Sequence, residues 1–176
     1  MERFYTKIVG TPIFEDDGLR PVTTIKDVVV DPETGKLVGL VVNSSKNLVI
    51  TPLDILSWQD GMYISGRDAI IHGSEVLRLK KIQESGIRIF NNRVETQSGK
   101  YLGKVVDFSV DNNLFTIKKL YVSKGFLGLI RYDSKIIPYR NIIEILADKI
   151  IVKEDLMAIK VKNERDEMVI EDMPVG

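Results

Sequence analysis

The stretch Ile25-Lys26-Asp27-Val28-Val29-Val30-Asp31 returns 80 residues later as Val105-Val106-Asp107-Phe108-Ser109-Val110-Asp111. The alignment runs without a gap to Val42 and Val122. Over its eighteen positions Asp27/Asp107, Val30/Val110, Asp31/Asp111, Leu40/Leu120 and Val42/Val122 are identical. Composition alone gives roughly one identity in a stretch of that length. The alternation also keeps its parity. Val28 and Val30 share one strand face, Phe108 and Val110 share the matching one, and the aspartates fall on the other. A chance match has no reason to preserve which side is apolar, so the chain carries one module twice. That reading comes first because a missed repeat mis-assigns the whole fold.

Working outward, each copy opens with a Gly-containing turn, Glu15-Asp16-Asp17-Gly18 in the first and Gln97-Ser98-Gly99-Lys100 in the second. Two apolar strands follow in each. In the first copy Asp31-Pro32-Glu33-Thr34-Gly35 joins them, with Pro fixing φ and Gly free to take φ > 0. In the second, Asp111-Asn112-Asn113 offers residues that tolerate the left-handed region. The next strands end alike, at Val49-Ile50-Thr51-Pro52 and Ile136-Ile137-Pro138, and further strands run through Met62-Tyr63-Ile64 and Lys149-Ile150-Ile151-Val152. Many short strands with regularly spaced turns predict a mainly β fold of two tandem small barrels or sandwiches. Between the copies, Val76, Leu79 and Ile82 recur every three residues, Ser74 can cap a start and Gly86 can end the segment, which predicts a short helix; a strand over Val76–Leu79 is the rival. The expected organisation is a first module over 1–73, a connector over 74–86, a second module over 87–160 and a polar tail over 161–176. A module of under 80 residues is marginal alone, so the two are expected to pack as a pseudo-symmetric pair.

The run Asp27-Val28-Val29-Val30-Asp31-Pro32-Glu33-Thr34-Gly35-Lys36-Leu37-Val38-Gly39-Leu40-Val41-Val42 resembles the PRC-barrel motif. The Gly…Gly-x-Val-x-Asp element that precedes it in the family stands clearest in the second copy, as Gly99-Lys100-Tyr101-Leu102-Gly103-Lys104-Val105-Val106-Asp107. The first copy carries Leu19-Arg20-Pro21-Val22-Thr23-Thr24 there instead. The resemblance covers roughly residues 5 to 155 and implies small β-barrels used for docking. Its members include the C-terminal domain of ribosome maturation factors, the cytoplasmic part of the photosynthetic reaction-centre H subunit, and many free-standing bacterial and archaeal proteins. It brings no catalytic residues.

Composition narrows the function classes. Apolar residues make up 44% and charged residues 28%, as in ordinary globular proteins. No apolar run approaches the roughly 18 residues of a membrane span, and the N-terminus lacks the apolar core of a signal peptide. The expectation is a cytoplasmic protein. With no cysteine, disulfides and thiolate chemistry are excluded. The net charge is zero, but it divides unevenly: residues 1–78 hold 8 Lys and Arg against 11 Asp and Glu, residues 79–155 hold 14 against 9, and residues 156–176 hold 3 against 5. A basic second half suits either packing against the acidic first half or an anionic partner.

Phosphate-cradling loops, dinucleotide fingerprints and nucleophile elbows are absent. The single histidine, His72, reads as a loop residue at the module boundary rather than a catalytic base. Asp27 with Asp31, and Asp107 with Asp111, sit about 13 Å apart along a strand, too far to share a metal or proton. They read as structural, with Asp31 and Asp111 bonding turn amides. No enzyme activity, cofactor or metal is expected. The candidate partner site is an insertion found only in the second copy, where Lys124, Phe126, Leu127, Leu129, Ile130 and Arg131 form an apolar tip ringed by cations. The rival reading folds that tip back over the barrel. The expected function is a non-enzymatic adaptor that docks a protein. Its alternative is an RNA- or ribosome-associated assembly factor using Lys118, Lys119, Lys124, Arg131, Lys135 and Arg140, with Tyr121, Phe126, Tyr132 and Tyr139 interleaved as stacking platforms. A peripheral membrane surface ranks third, and a homodimer is open.

Overall fold

The computed structural model describes residues 1–16, 18–125 and 134–154. In chain order the elements are β1 (Glu2–Phe4), α1 (Tyr5–Ile8), β2 (Pro12–Glu15), β3 (Thr23–Thr24), β4 (Asp27–Val30), β5 (Leu37–Asn43), β6 (Leu48–Ile50), β7 (Ile55–Trp58), β8 (Met62–Ile64) and β9 (Ile71–His72). The helix α2 (Leu77–Ser85) follows, then β10 (Arg93–Thr96), β11 (Tyr101–Asp111), β12 (Thr116–Ser123), β13 (Lys135–Pro138), β14 (Ile142–Ile145) and β15 (Lys149–Val152). Equivalent 3-10 turns, Pro52–Asp54 and Tyr139–Asn141, stand at the matching prolines Pro52 and Pro138.

The repeat is written into the hydrogen-bonding register. Asp27 faces Val41, Val28 faces Leu40, Val29 faces Gly39 and Val30 faces Leu37. With 80 added to each number, the same four pairs join β11 to β12, including the slip that leaves Val38 and Lys118 as the extra residues of a bulge. In each copy the opening strand runs parallel to the closing one, with Ile13 beside Met62 and Val94 beside Ile150. The second copy forms a single ladder in the order β13-β12-β11-β10-β15-β14. The first divides into β3-β2-β8-β7 and β4-β5-β6-β9.

Three local expectations need correction. A strand, β2 or β10, precedes the Gly-containing turn in each copy, so neither copy opens on the turn; short strands beginning at Pro12 and Arg93 carry too little alternation to be read alone. The left-handed residue of the second hairpin is Phe115 (φ 51°), the counterpart of Gly35 (φ 68°), and neither Asn112 nor Asn113. An L-residue there costs roughly 1–2 kcal/mol, offset by stacking of its ring on Trp58 at 5.9 Å. Between the copies the helix does form and Gly86 (φ 69°) ends it, but Ser74 does not cap its start. Ser74 lies in a 3-10 turn whose cap is His72: the imidazole accepts from Ser74 N–H, and the Glu75 carboxylate accepts from His72 N–H at 3.0 Å. His72 is thus a turn-forming residue on an exposed strand end.

One buried apolar cluster runs through both copies, from Ile8, Ile13, Leu40, Ile50 and Met62 to Phe108, Val110, Leu120, Ile137 and Ile150. Fully burying a side chain of this size contributes about 1.5–3 kcal/mol. A second, smaller cluster lies on the outer face of the first copy, where Leu79 of α2 packs on Val41 and Val49. Gly39 makes that seat possible, since a Cβ there would stand 2.3 Å from Leu79 Cδ1. Arg78 pins the helix at the first hairpin, donating two bonds to Asp31 at 2.8 and 2.7 Å and pairing with Glu33 at 3.1 Å. Those bonds hold the Asp31 carboxyl below its ordinary range.

Candidate functional site

The site is built where the two copies meet. At the hairpin tips, Leu37 N–H donates to Phe115 C=O at 2.7 Å and Ile117 N–H donates to Gly35 C=O at 2.9 Å. The two bonds flank the facing residues Lys36 and Thr116 and interchange under the 80-residue offset. Glycine suits position 35 on two counts: a positive φ costs it nothing, and the Tyr139 ring already fills the space of a Cβ.

The N-terminal segment crosses to the other copy. β1 pairs antiparallel with the end of β11, Glu2 facing Asp111, Arg3 facing Val110 and Phe4 facing Ser109. Glu2 accepts from Ser109 Oγ at 2.6 Å and from Lys119 Nζ at 3.1 Å, and Phe4 packs on Tyr121 at 5.2 Å. Arg3 reaches back, donating to the Trp58 and Gln59 carbonyls with its guanidinium over the Trp58 ring. α1 then bridges the two equivalent aspartates. Tyr5 O–H donates to Asp27 at 3.0 Å, while Thr6 donates to Asp107 from its N–H at 3.2 Å and its hydroxyl at 2.6 Å. Each aspartate also accepts the next amide, Val28 or Phe108, at 2.8 Å. Burial first, and then the Asp27 carboxylate, push the Tyr5 hydroxyl pKa up, so Tyr5 stays a donor. Both carboxylates are consumed by structure, as are Asp31 and Asp111, which accept turn amides at 2.9 Å.

Beside this junction lies a cleft of about 970 Å³. Its walls are the outer edge of β4, the C-terminal half of α2, the connector from Gly86 to Asn92, and the Lys104 and Ala147–Asp148 regions of the second copy. Tyr5 forms part of its floor, stacked on Phe108 at 4.8 Å and in tilted contact with the exposed Phe90 at 4.9 Å. Three cations line it. Arg93 is held by Glu95 and lies over Tyr101, whereas the side chains of Arg88 and Lys104 make no hydrogen bond or ion pair among the described residues. Sequence reasoning passed over Arg88, Phe90 and Lys104. The available signal was the alternation of Arg88 and Phe90 about the buried Ile89.

Of the residues singled out from sequence, Lys124 is exposed directly after β12, while Phe126, Leu127, Leu129, Ile130, Arg131 and Tyr132 lie outside the described residues. The ladder pairs Ser123, at the root of that loop, with the cleft residue Lys104. Lys118 pairs with Asp111 at 3.7 Å and Lys119 with Glu2 at 3.1 Å, so two cations of the nucleic-acid reading already have acidic partners. Tyr121 packs on Phe4, and Tyr139 fills the space beside Gly35. Among the described residues no group of three or more His, Cys, Asp or Glu side chains is placed to hold a metal ion, and no helix is long and apolar enough to cross a membrane.

No curated protein matches the chain significantly. The PRC-barrel domain family model matches it twice, over residues 1–71 and again over residues 84–156. The chain therefore belongs to the PRC-barrel domain family and carries that domain in two tandem copies.

Proposed function

We propose that this protein is a non-enzymatic docking adaptor whose two modules, 1–73 and 87–160, pack as a pseudo-symmetric pair around the connector 74–86 and engage a protein partner together. The observation that carries the reading is the cleft itself, to which both modules contribute walls, with Lys104 at its edge paired to Ser123. A concave site with an aromatic floor and unpaired cations has the makings of a recognition surface. The catalytic ingredients run the other way: the aspartates are spent on turns and on α1, and His72 on a cap.

Affinity purification of the tagged chain from native lysate, with and without nuclease, tests this reading. The wild type is compared with a Phe126→Ser/Leu127→Ser double variant and with Arg88→Glu/Lys104→Glu. The expected result is one or a few proteins retained despite nuclease and lost from at least one variant. Ribosomal proteins or RNA that vanish with nuclease would instead make the assembly-factor role the right one, and they should then dissociate steeply with salt as counterions return to phosphate.

A further inference from the structure

Resting on the docking role, we propose that the outer edge of β4 receives an extended, acidic segment of the partner protein as an added antiparallel strand. Each module is covered from the other's N-terminal side: β1, at the start of the first module, lies on β11, while α2, ahead of the second, lies on β4 and β5. The coverings differ in kind. β1 is a strand and takes up the backbone groups along the edge of β11 at Ser109–Asp111. α2 is a helix with its backbone bonds internal, and it packs on the face of the first module's sheet. Among the described residues β4 pairs only with β5.

The geometry gives that edge a direction and a reach. Asp31 N–H donates to Lys36 C=O and Asp31 C=O accepts from Gly35 N–H, so both its backbone groups point into the hairpin. Strand alternation turns those of Val30 the other way, toward the cleft that Val28, Val29 and Val30 line. Val110, the counterpart of Val30, uses this side to pair with Arg3. An unpaired edge is a template for another chain. In this fold it sits inside a cleft, shielded from indiscriminate pairing. The chemistry of the occupant follows from the walls. Arg88 and Lys104 make no ion pair among the described residues, against one such carboxylate, Asp148, while Asp27 is engaged by Tyr5 and Phe90 presents an exposed ring to an apolar side chain.

The test uses the full chain with a photo-reactive benzoyl-phenylalanine at position 90, and separately at position 126, in native lysate. The cross-linked segment is sequenced, synthesised and titrated onto the isotope-labelled protein. The expected outcome is an acidic segment captured from position 90, whose synthetic form slows amide exchange at Val30 at least tenfold. Arg88→Glu/Lys104→Glu should weaken it at least tenfold with no change in the unfolding midpoint. Capture from position 126 alone, with Val28–Val30 exchange unchanged, would leave the docking role standing and remove the added strand. Capture of a second copy, of residues 155–176 of the same chain, or of RNA at position 90 overturns the proposal, as does a basic segment. Failure of both positions to capture a protein overturns the docking role as well.

Discussion

The two modules solve one geometric problem in different ways. In the second, β11 runs unbroken for 11 residues, pairing first with β10 and then with β12. In the first, the equivalent stretch is cut into β3 and β4 at Ile25–Lys26, and its two halves belong to different sheets. The two stretches differ in kind at one position. Gly103 takes φ 136° and brings β11 so close to the end of β12 that a Cβ would stand 2.4 Å from Ser123 C=O. Thr23 occupies the matching place, facing Ile13 as Gly103 faces Val94. A β-branched residue has no comfortable access to that φ. The first module's ladder is interrupted at this point, yet Ile25 N–H still donates to Thr11 C=O, as Val105 N–H donates to Asn92 C=O in the second, and Lys26 N–H donates to Val41 C=O.

The outer faces differ too. Val29, Gly39 and Val41 of the first module become Ser109, Lys119 and Tyr121 of the second. The apolar set receives Leu79 of α2, and the polar set receives Glu2 and Phe4 of β1. Exchanging a helix for a strand at this place leaves the Val28–Val30 edge of β4 in the cleft, while β1 pairs with the equivalent edge of β11.

The comparison can be broken most forcefully at the glycine that sustains it. Gly103→Ala combines backbone strain with a clash against main-chain atoms, which cannot rotate aside, so a loss of about 3–5 kcal/mol is expected in urea denaturation. Gly35→Ala is next. It meets the Tyr139 ring at a positive φ and is expected to cost about 2–4 kcal/mol. A Tyr139→Ala background should remove part of that cost, as coupling between touching residues requires.

A smaller effect appears on acidification. The Arg78 bonds depress the Asp31 carboxyl below 3.8 in the folded state. The stabilisation is therefore complete above that value and is lost as pH falls through the folded one. Asp31→Asn should lower the unfolding midpoint at neutral pH and flatten its decline below about pH 4. Thr23→Gly should change stability least, by about 0.5–1 kcal/mol. It sharpens the comparison instead. Amide exchange at Ile25 and Lys26 should approach that of Val105 and Val106 if the glycine alone keeps the strand whole.

Much of this was legible in the sequence because the repeat carries periodicity, and periodicity fixes register. The pairs Asp27–Val41, Val28–Leu40 and Val29–Gly39 keep the alternation that identified the modules, and the bulge at Val38, which that alternation does not contain, then places Val30 opposite Leu37. The glycines of turn and cap, Gly35 and Gly86, were likewise announced by residue type. The crossing of β1 was not, because three residues carry no period and their partner lies more than a hundred positions away. Phe115 was missed for a related reason: tertiary stacking on Trp58 overrides its local preference. The cleft is a product of both, since it exists only after β1 and α2 have taken opposite modules.

The two copies form one unit, joined by a common core and by the Gly35–Ile117 and Leu37–Phe115 bonds. Urea unfolding of the whole chain tests this, with Trp58, the sole tryptophan, reporting the first module at its seam with Phe115, and amide exchange at Leu120 and Val122 reporting the second. Coincident transitions at the two probes are the expected result. Retention of Leu120 and Val122 protection after Trp58 has become exposed would show two independent barrels on a string and contradict the account.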